Sequence, residues 1–280
     1  MFELHSRHAV QRLLPLTGAV AVVVLMAFPL YAVLLTSLQP EEVIRSRNIE
    51  FVPRSLYLDH YEEIFAPSHI VPIPRAMGNS MIVAIGAALL TVVIALPATY
   101  ALTRLPTPGR GVLLNALVSI YLLPTILFVL PIYIFAVQLG LVDQHMTLIM
   151  LYVAFTLPLT IWSLKGFLEA VPIEVEEAAR LDGCSQLDLF FRIIVPLMRP
   201  GILAALLMVF IMAWVEFLTP LLFTNRTTIL TVALGLYRST RDIQIGQLAA
   251  AAVVTALPVV VLMSLFQRML SRVILAGSDR

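Results

Sequence analysis

Residues 174–200 read EVEEAARLDGCSQLDLFFRIIVPLMRP. This is the most charged run between two long apolar segments, 146–164 before it and 201–223 after it. The surrounding chain explains the contrast. Of its 280 residues, 60% are hydrophobic and 12% charged, whereas a soluble domain carries roughly 25% charged residues. The composition is that of an all-α, polytopic membrane protein. The net charge of +1 leaves no electrostatic footprint for nucleic acid, and no basic stripe is present.

A helix needs about 20 apolar residues to cross the hydrocarbon core. Six stretches qualify: 16–37, 81–103, 112–137, 146–164, 201–223 and 247–267. Backbone polar groups must be satisfied internally in lipid, so these are read as helices. Only the 201–223 span contains an ionisable Asp, Glu, Lys or Arg, namely Glu216. The first apolar stretch runs past the ~7–15 residues of a signal-peptide core and lacks a small-x-small cleavage site. It therefore reads as a retained span behind a tail at 1–15, and 16–280 as one transmembrane domain. With both termini on the cytoplasmic side, the inner segments hold eleven cations and the outer segments seven. That bias favours cytoplasmic termini. The outer segment 38–80 is too long for a plain connector and is expected to pack on the outer surface, as a docking site or as a lid.

The opening stretch has the grammar of two short helices. Pro172 fits the first helical position. Glu174, Glu176 and Glu177 gather at the positive end of the helix dipole. Arg180 lies four residues after Glu176 and three after Glu177, so both acids can support it. Ala178 and Ala179 leave a thin flank, and Asp182 precedes the stop signal Gly183. Ser185 caps a second helix, whose greasy face is Leu187, Phe190, Phe191 and Ile194. Pro196 and Pro200 punctuate the approach to the fifth span. The segment 165–200 is net acidic, while helices lying on a membrane surface favour a basic polar face. A protein partner is the better expectation.

The spacing resembles the EAA motif of ABC importer permeases, Glu-Ala-Ala-x3-Gly-x9-Ile-x-Leu-Pro. Glu177, Ala178, Ala179, Gly183, Ile193 and Pro196 match in order, with Val195 in place of Leu. The likeness extends along the chain to the MalG-like sugar permeases: TSLQPEE at 36–42, NSMIVAIGAALLTVVIALPATYALTR at 79–104, LPLTIWSLKGFLEAVPIEVEEAA at 157–179, AWVEFLTPLLF at 213–223 and the terminal ILAGSDR. Gln39 stands where the family has Lys, and Val215 where an Asn is common.

The resemblance implies a MetI-like permease subunit of an ABC importer for a carbohydrate of di- or oligosaccharide size. Segment 165–200 would be a coupling helix docking into a cytoplasmic ATPase, through Glu174, Glu176, Glu177, Ala178, Ala179, Arg180, Asp182 and Gly183. The implied companions are a second homologous permease, two ATPase subunits and an extracytoplasmic solute-binding protein, all at the cell membrane. ATP and Mg would belong to the ATPase subunits, with no cofactor on this chain.

The residues themselves carry no visible catalytic site. A P-loop needs Gly-x4-Gly-Lys-Ser/Thr, and the only lysine, Lys165, sits in Leu-Lys-Gly. Cys184 is the sole cysteine, which excludes an intrachain disulfide and any multi-Cys metal site. His5 and His8 fall short of a metal ligand set, and Ser119, Ser163 and Ser264 have no His nearby in sequence. Glu216 is a functional candidate because an intramembrane carboxylate costs several kcal/mol unless paired or wet. It is expected either to line the translocation path beside Trp214 or to tie helices together by hydrogen bonding across the subunit interface. Rival readings are a permease for glycerol phosphate or another polar solute, a self-sufficient secondary transporter, which should show repeats and several midplane charges, and a membrane-bound enzyme.

Overall fold

The computed structural model describes the backbone of residues 2–46, 50–66, 73–224, 229–237 and 244–278, and the side chains within these except 2–16, 230, 235–237 and 268–278. His5 and His8 lie outside the described side chains. Among the described residues the fold is helical, without strands. The helices are α1 (Phe2–Ser37), α2 (Glu41–Ile44), α3 (Asp59–Phe65), α4 (Ile73–Arg104), α5 (Arg110–Tyr121), α6 (Ile126–Gln138), α7 (His145–Glu169) and α8 (Ile173–Leu181). Next come α9 (Gln186–Asp188), a π-helical turn (Leu189–Ile194), α10 (Val195–Leu197), α11 (Arg199–Val215), α12 (Leu218–Phe223), α13 (Leu230–Tyr237) and α14 (Ile245–Ser278).

Four helices are long and apolar enough to cross a bilayer: Thr17–Ser37, Ile73–Arg104, His145–Glu169 and Ile245–Gln267. Two more spans arise if each of two bent pairs counts as one, which gives six among the described residues. Helix α1 runs unbroken from Phe2 to Ser37, and its apolar span begins at Thr17. The third apolar stretch is not one rod: α5 and α6 meet at 87°. Pro124 lies in the break; it has no N–H to donate and disfavours helical backbone at Leu123 before it. Segments Gln186–Leu197 and Arg199–Val215 meet at 72°, where Pro200 would clash with the carbonyl four residues back in a straight helix. The fifth stretch breaks again after Val215, with Glu216 extended at φ −68°, ψ 137°.

Two compact units can be distinguished. One comprises 1–73 with 236–256, the other 74–235 with 257–280. In the first, the 38–66 segment packs through α2 and α3 against the start of α14. Glu41 accepts from the backbone N–H of Ile245 (3.1 Å) and Gly246 (3.0 Å). Burial opposes its charge, yet the N–H of Gly246, the Arg45 guanidinium and the N–H of Ile245 together hold its carboxyl below the ordinary value of 4.5. His60 is buried, its Nε2 3.0 Å from the carbonyl of Gln39. A Cβ at Gly246 would fall 2.0 Å from that nitrogen, so the close approach requires glycine.

In the second unit one core runs through α4, α7, α8, the π-helical turn and α11. It includes Val92, Leu96, Tyr100, Ile161, Leu164, Leu168, Ala179, Phe190, Ile194 and Ala205. Thr91 and Thr156 hydrogen-bond across α4 and α7 at 3.2 Å, and Asn79 Oδ1 meets His145 Nε2 at 3.1 Å. This core joins the quoted segment to the apolar spans.

Candidate functional site

The helix–turn–helix expected over 172–196 forms, with Pro172 one position earlier than expected, at the N-cap of α8. Gly183 adopts φ +84°. Its N–H reaches the carbonyl of Arg180 (3.1 Å), and Cys184 N–H reaches that of Ala179 (3.0 Å). This pair of bonds is a Schellman stop, and the positive φ favours a residue without Cβ. Ser185 Oγ accepts from Asp188 N–H at 3.2 Å and donates to its carboxylate at 2.6 Å, capping α9. A π-helical turn follows in place of a regular helix. Pro196 cannot donate to the carbonyl of Arg192, and the wider turn absorbs that lost bond.

The sequence grouped residues here that the structure separates. Ala178 is exposed and Ala179 buried, so they do not share a flank. A step of one residue turns a helix by roughly 100°, given 3.6 residues per turn. Phe190 and Ile194 pack into the core, while Leu187 and Phe191 are exposed, because the π-helical turn breaks the 3.6 periodicity that would have gathered all four. Glu174, Glu177, Arg180, Asp182 and Gly183 face solvent. So does Leu181, at 89% exposure.

Glu176 points inward and is only 2% exposed. Its Oε1 lies 2.8 Å from Nε of Arg104, the last residue of α4. Its Oε2 accepts from Tyr100 OH at 3.3 Å and stands 4.0 Å from the Arg180 guanidinium. Arg104 also donates to the carbonyls of Leu168 (2.9 Å) and Val171 (2.6 Å), at and just beyond the end of α7. Gln186 donates to Tyr100 OH at 2.8 Å. Removing one member of such a buried pair costs about 3–5 kcal/mol, because the other charge is stranded. Arg104, Tyr100 and Gln186 were absent from the sequence-based site; nothing local links them to Glu176.

A second feature is a cavity of about 470 Å³ in the same unit. Its lining includes Tyr121, Thr125, Phe128, Tyr152, Thr156, Pro158, Glu216 and Thr219. Both interrupted helices contribute, α5–α6 through Leu123 and Thr125 and α11–α12 through Glu216 and Thr219. Irregular backbone at membrane depth is tolerated where it lines a cavity or is buried in protein. The Glu216 carboxylate accepts from Leu218 N–H (3.0 Å), Thr219 N–H (3.0 and 3.1 Å) and Tyr152 OH (3.1 Å). It therefore lines the cavity and also ties α7 to the α11–α12 break. Trp214 lies elsewhere: it is buried and stacked on Phe210 at 5.4 Å, outside the lining. No cluster of three or more His, Cys, Asp or Glu converges to hold a metal among the described residues.

Residues 91–275 match the family described as binding-protein-dependent transport system inner membrane component. The chain belongs to that family. Over 262 residues the permease is 32% identical to the inner membrane ABC transporter permease protein YcjP of Escherichia coli K12, covering 93% of each chain. It is 29% identical to the trehalose/maltose transport system permease protein MalG of Thermococcus litoralis, covering 96% of each. Its fold matches a chain in the crystal structure of a bacterial ABC transporter involved in import of the acidic polysaccharide alginate, with a TM-score of 0.74, 16% identity, and coverage of 92% of this chain and 96% of that one. The resemblance to MalG-like permeases and the MetI-like architecture are thereby established. The permease is a multi-pass membrane transport subunit.

Proposed function

We propose that this permease imports a neutral di- or oligosaccharide at the cell membrane, with both termini in the cytoplasm. Its companions are a second homologous permease, two ATPase subunits that bind and hydrolyse ATP with Mg, and an extracytoplasmic solute-binding protein. The chain itself holds neither cofactor nor ATPase site. The observation that carries the substrate class is the full-length relationship to a trehalose/maltose permease. The cavity agrees with it: tyrosine and threonine hydroxyls and one carboxylate line it, chemistry suited to a polyhydroxylated solute rather than an anion. Secondary transporters likewise place their solutes at interrupted helices.

For energy coupling, α8 is the docking element. Glu174, Glu177, Ala178, Arg180, Leu181 and Asp182 form its accessible face, and Gly183 ends it sharply. The test uses the purified importer in proteoliposomes, with ATP hydrolysis measured against a panel of neutral and anionic sugars and the binding protein. Stimulation by one neutral di- or oligosaccharide is expected. Stimulation by anionic solutes alone overturns the substrate class. Glu177→Lys is expected to abolish stimulated hydrolysis while membrane insertion stays normal; unchanged stimulation removes the docking face. In right-side-out vesicles, labelling Cys184 with a membrane-impermeant maleimide without lysis would reverse the orientation.

A further inference from the structure

We infer that the Arg104–Glu176 ion pair is a positioning pair, the rigid joint that makes α4 and the end of α7 move with α8. This rests on the reading of α8 as the element an ATPase grips, and it concerns what happens inside the permease after that grip.

The geometry is specific. Glu176 and Ala179 occupy the face of α8 turned away from solvent, while Glu177, Ala178 and Leu181 occupy the accessible face. One short helix therefore presents one side outward and is anchored by the other. The anchor is a forked guanidinium. Arg104 meets the carboxylate of α8 and two carbonyls at the end of α7 at once, at 2.8, 2.9 and 2.6 Å. Tyr100, one turn earlier on α4, donates to the other carboxylate oxygen and accepts from Gln186 at the start of α9. Four elements thus converge on one pair of charges.

Apolar packing alone would hold these helices, since exchanging a buried ion pair for hydrophobic groups is often neutral or stabilising. Apolar faces, however, can slide past each other. One guanidinium that donates from Nη2 to two carbonyls at the end of α7 and pairs at close range with the α8 carboxylate ties both elements to the last residue of α4, which an apolar face cannot do. Both side chains are largely dry, with 12% and 3% exposure, so salt screens them little. A displacement of α8 is then transmitted along a packed, hydrogen-bonded path to α4, which carries Thr91 and its bond to the cavity residue Thr156.

The test is a distance measurement in the complete importer in nanodiscs. One spin label sits on the natural Cys184, which is exposed beside α8. The other sits on Val93→Cys, on an exposed position of α4. Pulsed electron resonance is recorded without nucleotide and with Mg-ATP–vanadate. In the parent, the distance distribution is expected to be the same in both states. In Glu176→Gln, Mg-ATP–vanadate should shift or broaden it by several ångström while the ATPase subunits still co-purify. Should Glu176→Gln fail to assemble, Arg104→Met/Glu176→Leu strands no charge and must give the same shift. An unchanged distribution in whichever variant assembles, or a state-dependent distance in the parent, overturns the joint. Absence of ATPase subunits from the purified parent instead overturns the docking reading beneath it.

Discussion

Glu216 shows how one side chain settles a local question that composition leaves open. An intramembrane carboxylate is costly alone, and here it has three donors: two backbone N–H groups and the Tyr152 hydroxyl. It faces the cavity and also braces the helix break through bonds within its own chain. The residue's type and depth were legible in the sequence. Its partner Tyr152 was not, because the two lie 64 positions apart. Glu216→Ala leaves the N–H groups of Leu218 and Thr219 without their acceptor, at a cost of about 1–3 kcal/mol. A lower melting temperature in detergent is expected. Glu216→Gln, which keeps an amide oxygen at the same reach, should melt closer to wild type; equal melting of all three would show that the bracing is inconsequential.

At the scale of elements, helix identity was readable and helix continuity was not. Each apolar run forms helix because lipid leaves the backbone no other donor or acceptor. The prolines at 124 and 200 were visible, but a proline can kink a helix gently or end it, and packing decides which. The resulting angles of 87° and 72° belong to the tertiary structure. The contact of α7 with α11 shows how tight that packing is. A Cβ on Gly201 would lie 2.7 Å from Phe167 Cβ and 2.5 Å from its Cγ, and no rotamer change can withdraw that Cβ. Gly201→Ala should therefore destabilise the permease by about 1–3 kcal/mol, as overpacking does. Adding Phe167→Ala should recover part of that loss in the same melting assay. A fully additive double variant would show that the two residues do not meet.

On the whole-molecule scale, the joins that close the chain on itself are made by residues far apart in sequence. Glu41 caps the start of α14 from 204 positions away. Its folded pKa lies below the ordinary 4.5, so the stability it contributes is complete above that value and is lost as pH falls through the folded one. Wild type is expected to lose melting temperature across that acid window more steeply than Glu41→Gln, which has no charge to lose there. Parallel acid profiles for the two would remove the clamp. The sequence had marked 38–80 as more than a connector by its length, without indicating what it would pack on.

By itself, the sequence determined the helical class, the number of apolar runs, the family and the short acidic helix stopped at Gly183. Those features depend on local composition and spacing, which a chain carries whatever its tertiary arrangement. Only the tertiary structure decided that Glu176 turns inward to Arg104 while its neighbour Glu177 turns out, that Trp214 is buried away from the cavity, and that two spans break where the cavity lies. Each of these depends on which distant side chain comes within hydrogen-bond reach, and a single carboxylate can satisfy local helix grammar equally well on either face.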